Sequence, residues 1–314
     1  MIELSYLLVT DTYLTIRPVI DRLRRQTLRA SLEIVLLAPT RAAIEPLLAH
    51  QSEFGAILLL EHPIEDLGAA RAQGIAAASA PTIFIGETHS YPHPELAALL
   101  LAARARGFAC AAPGMGNANP RTARSWAGFL SDYGRWSATL PAGEIPHFPI
   151  YNAAFSRAAL LSLGDRLAPA LSHGDELQLR LEAAGHRTYF EPAARLDHVN
   201  VAPAGHWVYE RFLSGLLIAH HRSRPWSLAR RAFYALCSPA IPFVLIRRII
   251  PGTRAVLRHQ PVPAATVPLI VIGFFIKGFG ELLGYLGWPA HAAEASMQEY
   301  EVHKLAYAGP GQQT

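Results

Sequence analysis

The first 85 residues alternate short apolar runs with segments of helical periodicity. Leu4–Val9, Glu33–Leu37, Ala56–Leu60 and Thr82–Ile85 are compact apolar runs, as expected of strands covered on both faces. Between them, Ile16–Gln26 places Asp21, Arg22, Arg24 and Arg25 on one side of a helical repeat. Arg41–His50 predicts a second helix and the alanine-rich Ala69–Ala78 a third. Strands alternating with helices predict an α/β domain with a mixed, mainly parallel sheet and flanking helices. Ligands of such sheets sit beyond the carboxyl ends of the strands. That rule singles out Thr10 and Asp11, Ala38 to Thr40, Glu61 and His62, and Gly86 to His89.

From Pro113 to Pro149 the pattern loosens into Gly, Pro, Asn and the aromatic residues Trp126, Tyr133, Trp136 and Phe148. This predicts a long excursion over the ligand face, where an acceptor would be recognised. Regular patterning resumes at Ala158–Leu163, Asp175–Ala184 and Tyr189–Phe190, and ends near Asn200. After Trp207 the composition changes. Residues 222–260 hold eight arginines and no acid, and the apolar stretches Ala232–Ile246 and Thr266–Ile276 carry Pro239, Pro242 and Pro268. The expected organisation is an α/β domain over residues 1–205 and a basic, apolar helical membrane-attachment region over 206–314.

Composition sharpens this picture. With 314 residues, 51% hydrophobic and 17% charged, the chain has ample core material, and disorder is excluded. The basic excess is almost all arginine, since Lys277 and Lys304 are the only lysines. No aromatic or glycine-rich nucleic-acid module accompanies those arginines, so nucleic acid is not an expected partner. Interleaving with apolar stretches points to an anionic membrane surface. Cys110 and Cys237 fit neither a disulfide framework nor a zinc site, and the N-terminus lacks a secretory pattern. Both place the expected site of action at the cytoplasmic face.

A spanning helix needs about 20 apolar residues. The first tail stretch offers 15 between Arg231 and Arg247, with two prolines inside. The second reaches Lys277 after 11 and continues through Gly278, Gly280, Glu281, Gly284 and Gly287, small residues that allow close helix packing. Arginines flank the first stretch at both ends, as when both ends face one leaflet. Monotopic attachment is therefore expected in preference to two spanning helices.

Taken in order, residues 4–200 resemble the large family of inverting GT-A glycosyltransferases of the family 2 type. Leu4-Ser-Tyr-Leu-Leu-Val-Thr-Asp-Thr-Tyr, with Gln26-Thr27 closing the first helix, is similar to that family's first strand and helix. The resemblance implies that Thr10 and Asp11 contact the nucleoside; either could instead cap the helix. Leu67-Gly-Ala-Ala-Arg-Ala-Gln-Gly-Ile, followed by Ser79-Ala-Pro-Thr-Ile-Phe-Ile, is the most specific match and implies Gly68 and Arg71 at the donor pyrophosphate. A guanidinium fork suits phosphate, and glycine allows close backbone approach.

In Gly86-Glu-Thr-His-Ser-Tyr-Pro-His-Pro-Glu, Glu87 and His89 stand where the family has two metal-binding aspartates. Arg195-Leu-Asp-His-Val resembles the segment whose histidine completes the metal site, here His198. The implied cofactor is a divalent cation, manganese or magnesium; a carboxylate with imidazole suits manganese, while magnesium prefers oxygen. Ile150-Tyr-Asn-Ala-Ala-Phe-Ser-Arg places Asn152 at the donor sugar. The aspartates usual after the second strand are replaced by Ala38-Pro-Thr, which hides the nucleotide's identity. In Ser172-His-Gly-Asp-Glu-Leu-Gln-Leu-Arg, a one-residue shift of the family's acidic motif implies Asp175 as catalytic base, with Glu176 second and His173 next. Glu176 also stands four residues before Arg180, the spacing of an ion pair on a solvated helix face.

The expected function is transfer of a sugar, with inversion, from a nucleotide-sugar donor to a lipid-linked or saccharide acceptor at the membrane, as in cell-envelope polysaccharide or glycolipid synthesis. The two departures from the acidic motifs leave an alternative: a non-catalytic GT-A-like domain that binds a carbohydrate or protein partner at the membrane.

Overall fold

The computed structural model describes residues 1–172 and 174–309, without the side chains of residues 174 and 175. It divides into two compact units, one of Met1–Gly116 with Trp136–His198 and the other of Asn117–Arg135 with Val199–Thr314. The segment 117–135, inside the expected first domain, thus groups with the C-terminal helices.

The first unit runs β1 (Leu4–Val9), α1 (Tyr13–Leu23), β2 (Leu32–Ala38), β3 (Ala56–Glu61), α2 (Leu67–Ala77), β4 (Thr82–Ile85), β5 (Ser90–Pro92), α3 (Leu96–Arg104) and β6 (Cys110–Asn117). The second unit's α4 (Ala123–Asp132) interrupts it. It continues with β7 (Gly143–Ile145), β8 (Ala153–Ser156), α5 (Arg157–Leu161), α6 (Leu167–Ser172), α7 (Gly174–Ala183) and β9 (Thr188–His198). The sheet order is β3-β2-β1-β4-β8-β6-β9-β5, with β7 also paired to β9. The four strands read from the sequence form its parallel half, in which Leu4 lies opposite both Leu32 and Thr82. From β4 onward the pairing is antiparallel where β8 joins β4 and β6, and where β5 and β7 join β9.

All six residues of β1 and all seven of β2 are buried, which explains why both are apolar except for Ser5 and Glu33. Glu33 is the acid inside this layer. Its carboxylate accepts hydrogen bonds from Ser5 Oγ and, at 2.8 and 2.9 Å, from the Ser79 N–H and hydroxyl. It joins the starts of β1 and β2 to the loop before β4.

Helix α1 begins with Thr12, whose Oγ1 accepts from Thr15 N, and buries Ile16, Val19, Ile20 and Leu23. Helix α2 is capped by Asp66 and packs through small residues. A Cβ on Gly74 would lie 2.3 Å from Leu7 Cδ1, and one on Gly68 would lie 1.9 Å from Ser172 Oγ and 2.6 Å from the Ala168 carbonyl. The helix expected over Arg41–His50 is instead two 3-10 segments, Arg41–Ala43 and Glu45–Glu53. Pro46 lacks an amide donor, and within these segments only Leu47 is buried, so little apolar stripe holds a longer helix.

The second unit contains α4 and five later helices: α8 (Ala204–Ser223), α9 (Leu228–Cys237), α10 (Ile241–His259), α11 (Thr266–Tyr285) and α12 (His291–His303). Glycines bring α8 and α11 to backbone contact. A Cβ on Gly215 would lie 2.0 Å from the Lys277 carbonyl, one on Gly280 2.3 Å from Phe212 O, and one on Gly284 2.5 Å from Leu216 O. Arg211, on α8, grips Asp132 of α4 through two bonds of 2.8 and 2.6 Å and Glu210 through a third of 3.0 Å. Asn119 donates to the carbonyls of Asn200 and Ala308 at 2.7 and 3.1 Å, which ties the end of the described chain to the segment before α4.

Two helical stretches, Leu228–His259 and Thr266–Tyr285, are long and apolar enough to cross a membrane by length and composition. Their outward residues include Phe233, Leu236, Phe243, Val244, Ile272, Phe275 and Phe279, all exposed. Phe243 of α10 meets Phe275 of α11 edge to face at 5.9 Å, so the apolar surface continues from one helix to the other.

Candidate functional site

Strand register brings side chains from three separate stretches of the chain together at one end of the first unit. β4 stops at Ile85, and the loop Gly86–His89 leads directly into β5. There Ser90 pairs with His198, the last residue of β9. On the other side Ile85 pairs with Ala153, and Asn152 N–H donates to the Ile85 carbonyl at 2.6 Å. Glu87, His89, His198 and Asn152 thereby converge, all buried. Gly86 lets the chain pass over the Tyr6 ring, where a Cβ would lie 2.5 Å from Cε1.

The ligand atoms form a nearly regular triangle. Glu87 Oε2 is 3.5 Å from His89 Nε2 and 3.6 Å from His198 Nε2, and the two imidazole nitrogens are 3.1 Å apart. Adjacent ligands of a cation bonded at ~2.1 Å are about 3.0 Å apart in octahedral and about 3.4 Å in tetrahedral geometry. The triangle fits one face of such a sphere, and two imidazoles with one carboxylate suit a borderline divalent ion. Two imidazole nitrogens this close also require a proton or a cation between them, because two bare lone pairs repel.

The carboxylate of Glu87 is oriented before any ligand arrives. Oε2 accepts from Asn152 Nδ2 at 2.5 Å and from Ser90 Oγ at 3.0 Å. Asn152 is the one described non-glycine residue with positive φ, at 63°, a conformation asparagine tolerates better than most residues. Its Oδ1 is buried without a hydrogen-bond partner. The Tyr6 hydroxyl is likewise buried and unpartnered; burial, and then the nearby Glu87 charge, push that phenol well above its usual range. Sequence reasoning missed Ser90 and Tyr6. Ser90 follows Glu87 by three residues, but only the pairing of β5 with β9 reveals its role.

Arg71, on α2, is 5% exposed and stacks its guanidinium 3.8 Å above the Tyr151 ring. No carboxylate among the described residues pairs with it, and its Nε is buried without a partner. A guanidinium buried with only an aromatic face beneath it leaves positive charge for an anion. Tyr151 is fixed in turn by its hydroxyl, which donates to Leu171 O at 2.7 Å. The close approach permitted by Gly68 is to α6.

Thr10 and Asp11 form the turn into α1. Thr10 Oγ1 donates to Thr12 O at 3.0 Å, and Asp11 Oδ1 accepts from Thr12 N at 2.7 Å. Thr12, one residue later than expected, provides the cap itself. Glu176, in α7, is paired with Arg180 at 2.6 Å. The side chain of Asp175 and residue His173 lie outside the described residues.

A second group, His220, His221 and Glu294, is half-buried on α8 and α12. The Arg224 guanidinium stands 3.3 Å from Glu294 and 3.4 Å from His220 and already supplies a cation there.

No protein-family model matches the chain, and no curated protein sequence matches it. Among solved structures it is similar to the mannosyltransferase PcManGT of Pyrobaculum calidifontis in complex with GDP-Man and Mn2+. Identity is 15% over 95% of this chain and 87% of that one, with a TM-score of 0.51. It is also similar to residues 1–349 of S. aureus TarS in complex with UDP, at 13% identity, 91% coverage of each chain and a TM-score of 0.47. The fold is that of the GT-A glycosyltransferases: a mainly parallel sheet with flanking helices, here with apolar C-terminal helices.

Proposed function

We propose that this chain is an inverting glycosyltransferase that moves a sugar from a nucleotide-sugar donor to a lipid-linked or membrane-proximal acceptor. The observation that carries this reading is the triangle of Glu87, His89 and His198 at the ends of β4 and β9. It sits where open α/β sheets bind ligands, in a fold shared with a mannosyltransferase bound to GDP-Man and Mn2+.

A divalent cation held by these three atoms would neutralise the departing diphosphate. The two-nitrogen, one-oxygen set favours manganese over magnesium. Arg71 offers its unpaired guanidinium to the same diphosphate, from the helix whose first turn holds Gly68. Asn152 presents its unpartnered Oδ1 to a hydroxyl of the donor sugar. Thr10 and Asp11 lie on the nucleoside side, at the end of β1.

The base is a carboxylate at the start of α7. Glu176 is engaged by Arg180, which leaves Asp175 as the first choice. It takes the proton of the acceptor hydroxyl as that oxygen attacks the anomeric carbon opposite the diphosphate, and the bond from carbon to diphosphate oxygen breaks. A helix N-terminus keeps such a carboxylate ionised.

Residues 206–314 attach the enzyme to the cytoplasmic face in monotopic fashion, where it serves cell-envelope polysaccharide or glycolipid synthesis. The exposed apolar residues of α9, α10 and α11, interleaved with arginines, support this. Topology mapping that finds residues 251–262 outside the cytoplasm would overturn it.

The decisive experiment is a panel of uridine, guanosine and thymidine diphosphate sugars, scored for thermal stabilisation and for donor hydrolysis with and without manganese. A manganese-dependent response to one donor class is expected, and no response to any of them would sink the enzyme reading.

A further inference from the structure

Within the second unit, helices α8 and α12 bring together two imidazoles and a carboxylate that the sugar-transfer reading does not use. His220 and His221 stand in the last turn of α8, and Glu294 in the first turn of α12. Each offers one ligand atom within 4.8 Å of the other two, and His221 Nε2 lies 3.4 Å from Glu294 Oε1. The side chains of His221 and Glu294 are 21% and 39% exposed. The group is partly screened from water yet open to an ion arriving from it.

Arg224 follows His220 by four residues and so shares its side of the helix. Its Nη2 is 3.4 Å from His220 Nε2 and 3.3 Å from Glu294 Oε1, which sets one cationic nitrogen between two of the three ligand atoms. A guanidinium cannot accept a hydrogen bond. His220 Nε2 is therefore the acceptor, with its lone pair bare and the ring proton on Nδ1. A bare imidazole lone pair and a carboxylate oxygen converging on one positive atom are what a metal ion needs of its ligands. Zinc bonds nitrogen and oxygen at about 2.0–2.2 Å, so exchanging the guanidinium for the ion draws each of these ligands inward by roughly 1 Å. Arg224 can give way, since its side chain is 58% exposed.

We propose that His220, His221 and Glu294 form a zinc site in which Arg224 is the resident cation that zinc displaces. Two imidazoles and one carboxylate suit a borderline ion, whereas magnesium and calcium take oxygen ligands. Three protein ligands leave a fourth position to water. Because the ligands come from two helices, the ion ties the start of α12 to the end of α8. The site does not depend on the sugar-transfer reading.

The test is titration of the full chain with Zn2+, followed by calorimetry and thermal melting. Zinc can also enter the triangle of Glu87, His89 and His198, so each measurement is made on the unaltered sequence and again with His198→Gln. A saturable zinc site should survive His198→Gln and disappear on adding His221→Gln or Glu294→Gln. Arg224→Gln should bind zinc about tenfold more tightly, because a like charge no longer stands in the ion's place. Co2+, which has visible absorption where Zn2+ has none, should give the bands of a four-coordinate site with His198→Gln and lose them when Glu294→Gln is added.

Glu294→Gln, nearly isosteric and partly exposed, keeps the test valid if His221→Gln folds poorly. Absence of zinc binding with His198→Gln overturns the proposal, as does binding that Glu294→Gln leaves intact. An ion pair of purely structural purpose predicts that Arg224→Gln lowers the melting temperature without raising zinc affinity, and that result also overturns it. Nucleotide-sugar binding, measured on the same samples, reports separately on the donor site.

Discussion

Asn152 Nδ2 donates to Glu87 Oε2 at 2.5 Å from a backbone held at φ 63°. One residue thus satisfies an unusual turn at the start of β8 and aims the carboxylate at the centre of the site. The two roles separate by substitution. Asn152→Gly keeps the backbone and removes the carboxamide, so it should fold nearly as well while weakening manganese binding about 10- to 100-fold. Asn152→Ala should add a destabilisation of about 1–2 kcal/mol from the left-handed conformation. Titration calorimetry and thermal melts on the two variants check the pair.

Manganese should stabilise the folded protein. At a hundred times its dissociation constant, a ligand specific to the native state adds about 2.7 kcal/mol. His198→Gln and His89→Gln should each abolish most of that gain in thermal melts, because each removes one corner of the triangle. A gain unchanged in both variants would place the cation elsewhere.

Asp175→Asn should lower turnover by roughly 10²- to 10⁴-fold with donor affinity nearly unchanged. Glu176→Gln should cost much less, since that carboxylate is occupied by Arg180. Steady-state kinetics on both would identify the base. The reverse ranking would move the assignment one residue along α7.

Gly68→Ala should destabilise the first unit by about 1–3 kcal/mol, the usual cost of forcing a methyl group into a filled space. The obstacles are Ser172 Oγ and the Ala168 carbonyl. The oxygen of a backbone cannot rotate away as a side chain can. A chemical denaturation curve measures the loss.

Arg211→Met should cost about 2–5 kcal/mol, as expected when one member of a buried ion pair is removed. Asp132 is more than a third exposed and can return to water, but Glu210 is buried and loses its partner. Asp132→Asn should therefore cost less than Arg211→Met, and the order of the two melting temperatures tests the asymmetry.

The parallel half of the sheet was legible because apolar residues dominate β1 to β4, with Ser5, Glu33, Glu61 and Thr82 as the polar exceptions, as expected of strands that are largely covered on both faces. Strand β9 was read only at Tyr189 and Phe190. Its remaining residues mix Glu191, Pro192, Arg195 and Asp197 with buried Ala194 and Leu196, a half-exposed pattern broken by proline. Glu87, His89, Asn152 and His198 were found from the resemblance, but their meeting was not readable from spacing. His89 and His198 are 109 residues apart, and only the register of Ser90 against His198 closes that distance. The 3-10 segments replaced a helix because Pro46 interrupts a pattern with few buried positions to enforce it.

The second unit takes α4 from the middle of the chain and the rest from beyond residue 198. On a ribosome, which releases the chain from its N-terminus, the first unit can close while Trp126, Phe129 and Leu130 of α4, buried in the finished protein, still wait for their partners. Translation of the 116 residues from Val199 to Thr314 takes roughly 6 to 23 s at about 5 to 20 residues per second. For that interval the nascent protein carries an uncovered greasy helix in the midst of a finished domain. A holdase or the bilayer itself would meet it first. A gene truncated near residue 205 would make that interval permanent, yielding an insoluble product in place of a smaller enzyme.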